Sequence, residues 1–134
     1  MSLSRANYDP AVRMGARDGN FSNNGVTGTV TQATNRTTGV TINTLSGQIT
    51  TNNASLAAEA AAVFTVTNST VFADDVIIVS IASGSNGGNT KVTVNAVANG
   101  SFVIQVANDN AAAGTAETGA IVINFLVQKA ASTS

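Results

Sequence analysis

Much of this chain alternates apolar with small polar residues at a period of two, and this pattern constrains the fold more than any other feature of the sequence. The most complete example places four apolar side chains on one face of an extended chain: Ile121, Ile123, Phe125 and Val127. Similar stretches recur at fairly regular intervals, separated by turn residues, which is typical of an all-β sandwich or barrel. The candidate strands are residues 26–31, 40–42, 45–50, 62–67, 76–82, 90–98, 101–107 and 120–129. We therefore predict an all-β fold, an antiparallel β-sandwich of about eight strands, with jelly-roll or immunoglobulin-like topology.

Three segments between the strands give local predictions. Asn99-Gly100 predicts a hairpin with a two-residue type I′ turn, because Asn and Gly tolerate the positive φ that this turn requires at both positions. Residues 53–62 have the highest helix propensity of the chain, with Asn53 as a possible N-cap, and predict a turn or a short helix. Residues 83–89 and 108–118 are predicted to be loops.

Two predicted strands carry apolar residues on both faces. In the last strand, Val122 and Leu126 lie opposite the apolar face, and the stretch 76–81 shows the same ambiguity. Such strands are either central in the sandwich or covered on the outer face by another subunit. In a domain this small, the surplus of apolar side chains favours a homo-oligomer.

Composition excludes several classes of function. Six basic and seven acidic residues give a net charge of −1, so we expect no nucleic-acid partner and no anionic membrane partner. The sequence has no His and no Cys, and it therefore lacks the usual general base near neutral pH, the thiolate nucleophile and the main zinc ligands. We expect no enzyme, no cofactor and no small-molecule substrate.

The few carboxylates support the same expectation. Asp74 and Asp75 are adjacent, and consecutive residues of a strand face opposite sides, so we interpret them as a polar turn before the next strand. The segment Asn108-Asp109-Asn110 together with Glu117 offers oxygen ligands for Ca²⁺, but the glycine-anchored spacing of an EF-hand loop is missing. We predict no catalytic residue and no metal site.

Residues 1–24 differ from the rest of the chain, and we predict that they form an extended N-terminal arm, separate from a β-sandwich domain at 25–134. They hold the only Pro, both Met residues, the only Tyr and three of the six basic residues. Their apolar residues are too widely spaced for a strand or for a long helix. A disordered leader and a docking arm both fit this pattern, and the content of arginine and aromatic residues favours docking. The candidate docking residues are Arg5, Tyr8, Arg13, Arg17 and Phe21.

The Thr- and Val-rich stretches resemble a known group of proteins. TGVTIN at 38–43, SGQITT at 46–51 and AVFTVTNS at 62–69 are similar to strands of small β-sandwich virion proteins of tailed bacteriophages and prophages. Residues 76–80, 100–104 and 120–125 continue the likeness in the same order, so that it covers about residues 25–131 and leaves the arm outside. The resemblance implies a non-enzymatic virion component, trimeric, that decorates a capsid or forms part of a tail fibre.

These observations lead to one main functional hypothesis. The chain is expected to be a capsid decoration, or cement, protein, made in the host cytoplasm and located on the capsid surface, where homotrimers bind the major capsid protein and stabilise the shell. The arginines of the arm would pair with capsid carboxylates, and its aromatic residues would fill apolar pockets. The alternatives are a tail-fibre or receptor-binding module whose loops at 83–89 and 108–118 contact a glycan, and a bacterial adhesion or surface-layer module, which the absence of an export signal disfavours.

Overall fold

Alternating buried and exposed side chains produce eight strands in the computed structural model, which describes residues 27–85, 87–111 and 114–130. The strands are β1 (Thr27–Thr31), β2 (Val40–Thr41), β3 (Ser46–Thr50), β4 (Ala61–Thr67), β5 (Val76–Ser83), β6 (Thr90–Ala98), β7 (Ser101–Asn108) and β8 (Val122–Gln128). A single 3₁₀ turn at Gly87–Asn89 precedes β6. The predicted arm, residues 1–24, lies outside the described residues.

The strands form two four-stranded sheets. Sheet I has the order β1-β3-β8-β5, and sheet II has the order β2-β4-β7-β6. The prediction of an all-β sandwich with about eight strands is confirmed. The bounds of each predicted strand differ from the observed bounds by at most two residues.

Two strand pairs are parallel, so each sheet is mixed where the sequence predicted antiparallel pairing throughout. β1 pairs with β3 in parallel, and β2 pairs with β4 in parallel, whereas every other pair is antiparallel. The reason lies in the chain path, because β1 to β5 alternate between the two sheets. Two successive crossings return the chain to its first sheet in its original direction, and neighbouring strands connected in this way run parallel.

The hydrophobic core lies between the sheets. Ile49 and Ile123 of sheet I and Ile104 of sheet II are fully buried. The rings of Phe102 and Phe125 meet across the core with their centroids 5.6 Å apart and an interplanar angle of 52°. Each such side chain contributes about 1.5–3 kcal/mol by leaving water, so the inward-facing residues that the period-two pattern predicts account for much of the stability.

The hairpin at Asn99-Gly100 is confirmed, but its turn type differs from the prediction. Ala98 pairs with Ser101 across β6 and β7, which leaves a two-residue loop. Of the two loop residues, Gly100 has a positive φ, of 85°, and Asn99 does not, whereas a type I′ turn needs positive φ at both loop positions. Hydrogen bonds from outside the hairpin hold this geometry: the N–H of Gly100 donates to the carbonyl of Val71 at 2.8 Å, and the Asn99 side chain accepts from the N–H of Ala73 at 2.9 Å.

The segment 53–62 contains a turn and no helix, and its last two residues begin β4. Leu56 pairs with Glu117 in an isolated antiparallel bridge, with both backbone hydrogen bonds at 2.8 Å. The N–H of Glu59 donates to the carbonyl of Asn108 at 2.8 Å. These long-range partners occupy the backbone groups that a helix would pair internally, so tertiary contacts override the helix propensity of the alanine-rich sequence.

Candidate interaction surface

The outer face of sheet I carries a strip of exposed apolar side chains. Val76 and Ile78 of β5 are 52% and 51% exposed, and Leu126 of β8 is 42% exposed. Ile78 lies directly opposite Leu126 in the strand register. We call Val76, Ile78 and Leu126 the apolar strip. It confirms that apolar residues remain on both faces of these strands, as the sequence predicted.

One end of the apolar strip is bordered by an aromatic ring and an ion pair. The Nζ of Lys129 lies 4.5 Å from the centroid of the Phe72 ring and 2.6 Å from Oδ2 of Asp75. Phe72 is 58% exposed. The same Asp75 oxygen accepts a hydrogen bond from the N–H of Phe72 at 2.8 Å. The bond from Lys129 and the N–H of Phe72 hold the pKa of Asp75 below its usual value.

The Asp74-Asp75 pair is a turn that leads into β5, as predicted, and Asp75 accepts hydrogen bonds from Lys129 and from the backbone of Phe72. A carboxylate held in this way orders the chain between Phe72 and Val76. It therefore positions the end of the apolar strip.

The other half of the same sheet face is polar and uncharged. A shallow concavity of about 430 Å³ lies over β1, β3 and β8 and is lined by hydroxyl and amide residues together with two glycines and a phenylalanine: Thr27, Thr29, Ser46, Gln48, Asn124, Gly28, Gly47 and Phe125. Its two amides bond to each other, with Nε2 of Gln48 donating to Oδ1 of Asn124 at 2.9 Å. No charged residue occurs in the four strands of sheet I.

Sheet II has an outer face of small and polar residues. Val63 of β4 is 43% exposed, and Asn95 of β6 donates to Gln105 of β7 at 3.0 Å. Lys91 is the single charged residue in the eight strands. Compared with sheet I, this face exposes one large apolar side chain, Val63, and the half-buried Val103 of β7 lies on the same face.

A buried polar cluster joins the loops at one end of the sandwich. Arg36 and Glu117 are 5% and 3% exposed. Burial lowers the pKa of Arg36, and the negative charge of Glu117 acts in the opposite direction. Nη2 of Arg36 donates to the carbonyl of Gly119 at 2.7 Å, its Nη1 to Thr51 Oγ1 at 3.3 Å, and its Nε to the carbonyl of Ala54. The Arg36 guanidinium therefore connects three loops through hydrogen bonds and does not face solvent.

Two of the residues considered as Ca²⁺ ligands, Asn108 and Glu117, form hydrogen bonds within the protein in the same region of the fold. Asn108 Nδ2 donates to the carbonyls of Leu56 and Thr115 at 3.0 and 2.9 Å, and Glu117 Oε1 accepts from the Thr90 hydroxyl. Within residues 27–85, 87–111 and 114–130, no group of three acidic, His or Cys side chains could hold a metal ion. No helix in this part of the chain is long and apolar enough to cross a membrane.

The predicted docking residues of the arm lie outside the described residues: Arg5, Tyr8, Arg13, Arg17 and Phe21. Within the described part, sequence reasoning missed Phe72 and Arg36. Phe72 was detectable as a lone aromatic residue in a polar turn, which is an uncommon position for so large an apolar side chain. No feature of the sequence indicates that Arg36 is buried, because its neighbours Asn35 and Thr37 indicate an ordinary exposed turn.

The chain matches no protein-family model, no curated protein and no solved structure. The fold and its surfaces therefore carry the functional argument. They define a β-sandwich whose most distinctive exposed feature is the apolar strip.

Proposed function

We propose that this protein is a decoration, or cement, protein of a tailed-bacteriophage capsid, which binds the outer capsid surface as a homotrimer and stabilises the shell. In this proposal its partner is the major capsid protein and its location is the virion. The chemistry is association alone, without a catalytic step or a cofactor.

The observation that carries the proposal is the apolar strip on an uncharged sheet face. Half-exposed Val76, Ile78 and Leu126 lie together, and clusters of this kind mark protein contacts in soluble proteins. Lys91 alone supplies charge within the strands, so the sandwich offers little electrostatic attraction to nucleic acid. Association with protein surfaces is the function that such a domain supports best.

The resemblance of the sequence to phage virion proteins adds to this argument. The six similar stretches correspond to β2, β3, β4, β5, β7 and β8 of the structure. The fold implied by the resemblance is a small β-sandwich, and the described residues form a β-sandwich. This agreement supports the proposal that the chain is a small β-sandwich module. The proposed location in the virion rests on the resemblance and on the composition.

In this proposal the arm provides attachment. Arg5, Arg13 and Arg17 pair with capsid carboxylates, and Tyr8 and Phe21 fill apolar pockets. Three arms on one trimer raise the avidity well above the affinity of a single arm, provided that all three reach their sites together.

The test is co-sedimentation of the full chain with capsids assembled from the major capsid protein of the same phage. The variant is the full chain with Tyr8→Ser and Phe21→Ser, and the control is Lys91→Gln, which changes an exposed residue of the sandwich. We expect the wild type and the control to bind and the arm variant to lose at least about tenfold in affinity.

Two outcomes would contradict the proposal. If the wild type does not bind capsids, the decoration function is wrong, and binding to host cells instead would favour the receptor-binding alternative. If the arm variant binds capsids as tightly as the wild type, the sandwich and not the arm makes the attachment.

A further inference from the structure

We propose that the apolar strip is the contact surface between copies of this chain. This inference rests on the proposed function, in which copies associate on the capsid. It assigns that association to Val76, Ile78 and Leu126, with Phe72 at one end, and leaves attachment to the capsid to a different part of the chain.

The first argument is the position of the strip on strand β5. This strand is an edge of sheet I, where β8 is its one paired neighbour among the described strands. Over Val76–Ser83 it has no charge and no proline, two of the features with which edge strands discourage pairing with other chains, and its register irregularity between Ile81 and Ser83 lies beyond the apolar strip. A long, uncharged and apolar edge strand of this kind promotes non-specific aggregation unless another surface covers it.

The second argument concerns charge, and it favours a second copy as the cover. The strip contains no ionisable group; of the charged residues next to it in the chain, Asp75 and Lys129 form an ion pair 2.6 Å long, and Asp74 is exposed in the turn before β5. A partner with a charged surface would lose hydration against this strip and gain no opposite charge in return. A neighbouring copy brings an equally uncharged strip, and in the proposed homotrimer the three strips face one threefold axis, so that apolar side chains meet apolar side chains.

The third argument is the area available. Four strands of up to eight residues present a face of roughly 20 by 25 Å. This face of about 500 Å² is smaller than one side of a standard protein interface, about 800 Å² per partner. A stable contact between copies therefore uses the polar half of the face and the flanking turn that carries Phe72 in addition to the apolar strip.

The fourth argument is the position of the chain entry. The described chain begins in β1, at the edge of sheet I opposite β5. Three strand spacings, about 14 Å, separate these two edges. A second copy can therefore cover the strip without covering the point at which the described chain begins.

The test is the sedimentation-velocity mass of the full chain. The variant is Ile78→Asp, at the centre of the strip, and the matched control is Val63→Asp, a similarly exposed β-branched residue on the outer face of sheet II. We expect the wild type and the control to sediment at about three times 13.4 kDa, the mass of the proposed homotrimer. For Ile78→Asp we expect self-association weaker by about 100-fold, the effect of losing a central contact residue.

Urea unfolding of each variant verifies that it is folded. If Ile78→Asp does not fold, the milder double variant Ile78→Thr with Leu126→Thr takes its place in the same measurement. A monomeric wild type would overturn the inference, and so would folded strip variants that retain the wild-type mass.

The capsid co-sedimentation assay separates this inference from the proposed function. Strip variants that keep the mass of the wild type but no longer bind capsids would show that the strip faces the capsid, which overturns the contact between copies and leaves the decoration function. A wild type whose association depends on the strip but which never binds capsids would confirm the contact and contradict the decoration function.

Discussion

The guanidinium of Arg36 donates a hydrogen bond of 2.7 Å to the carbonyl of Gly119, a residue 83 positions further along the chain. Its other nitrogens reach Thr51 and the carbonyl of Ala54. One buried side chain thus connects the loop after β1, the loop after β3 and the loop before β8. Because the planar guanidinium offers donors in several directions at once, no lysine could replace these contacts.

Arg36→Met should lower the free energy of unfolding by about 3 kcal/mol. The substitution leaves the carbonyls of Ala54 and Gly119 without the donor that Arg36 supplies, and Thr51 Oγ1 keeps the N–H of Ile121 as a donor. It also removes the positive charge beside buried Glu117. Urea denaturation at pH 7 measures the change. Lys91→Met, on an exposed strand position, should stay within about 0.5 kcal/mol of the wild type, and equal stability of both variants would contradict the role of Arg36.

Asp75→Asn should reduce stability at neutral pH and have less effect in acid. The folded-state pKa of Asp75 is lowered by the bond from Lys129 and by the N–H of Phe72. A carboxylate with a depressed pKa stabilises the fold above its unfolded-state pKa, and this contribution disappears as the pH falls through the folded-state pKa. The difference in thermal midpoint between wild type and variant should therefore be largest near pH 7 and shrink below about pH 4.

The neighbouring Asp74→Asn variant controls for the loss of one negative charge. It removes the same charge from an exposed position in the same turn. A stability difference for Asp75→Asn that remains constant down to pH 2, or one that Asp74→Asn reproduces, would contradict the assignment to the Asp75–Lys129 pair.

Gly100→Ala should destabilise the protein by about 1 kcal/mol through the backbone alone. Gly100 has a φ of 85°, which is unfavourable for an L side chain, whereas an added Cβ would meet no atom within 4 Å. Gly119→Ala is the matched control, because its Cβ also enters open space and its φ is not positive. Chemical denaturation should show a clear loss for the first variant and almost none for the second.

Gly47→Ala should cost more than Gly28→Ala, although the two glycines are paired in the register of β1 and β3. A Cβ on Gly47 would lie 2.6 Å from the carbonyl oxygen of Gly28 and 3.1 Å from the Phe125 ring. At Gly28 the closest atom would be a Thr44 methyl carbon at 3.3 Å. We expect a loss of about 2–3 kcal/mol at position 47 and less than about 1 kcal/mol at position 28, measured by urea denaturation. Similar losses at both positions would contradict this account of the packing.

The sequence predicts those parts of the fold that depend on local patterns. Period-two alternation identifies Ile123 and Phe125 as inward-facing and Leu126 as outward-facing, because the direction of a strand side chain follows from its position alone. The position of the hairpin at Asn99-Gly100 is predictable for the same reason.

Features that depend on distant partners could not be predicted in this way. Asn99 avoids positive φ in a loop whose backbone and side chains bond to the segment around Val71 and Ala73. Arg36 is buried because the folded chain brings the carbonyls of Ala54 and Gly119 to it. Parallel pairing of β1 with β3 follows from crossings between sheets, which no short stretch of sequence records. The apolar strip is predictable in part. The outward direction of each of its side chains follows from the sequence, but their position next to one another depends on the strand order.

The path of the chain between the sheets also determines how the molecule reaches its folded state. Of the seven connections between successive strands, the one from β6 to β7 stays within a sheet. This hairpin can close early, on a microsecond timescale, whereas every other strand must wait for partners far away in sequence, which places folding in the range of milliseconds to seconds. During that interval the segment 76–81 has not yet paired with β8, so newly made chains are most vulnerable to misassembly through the strand that we assign to contacts between copies.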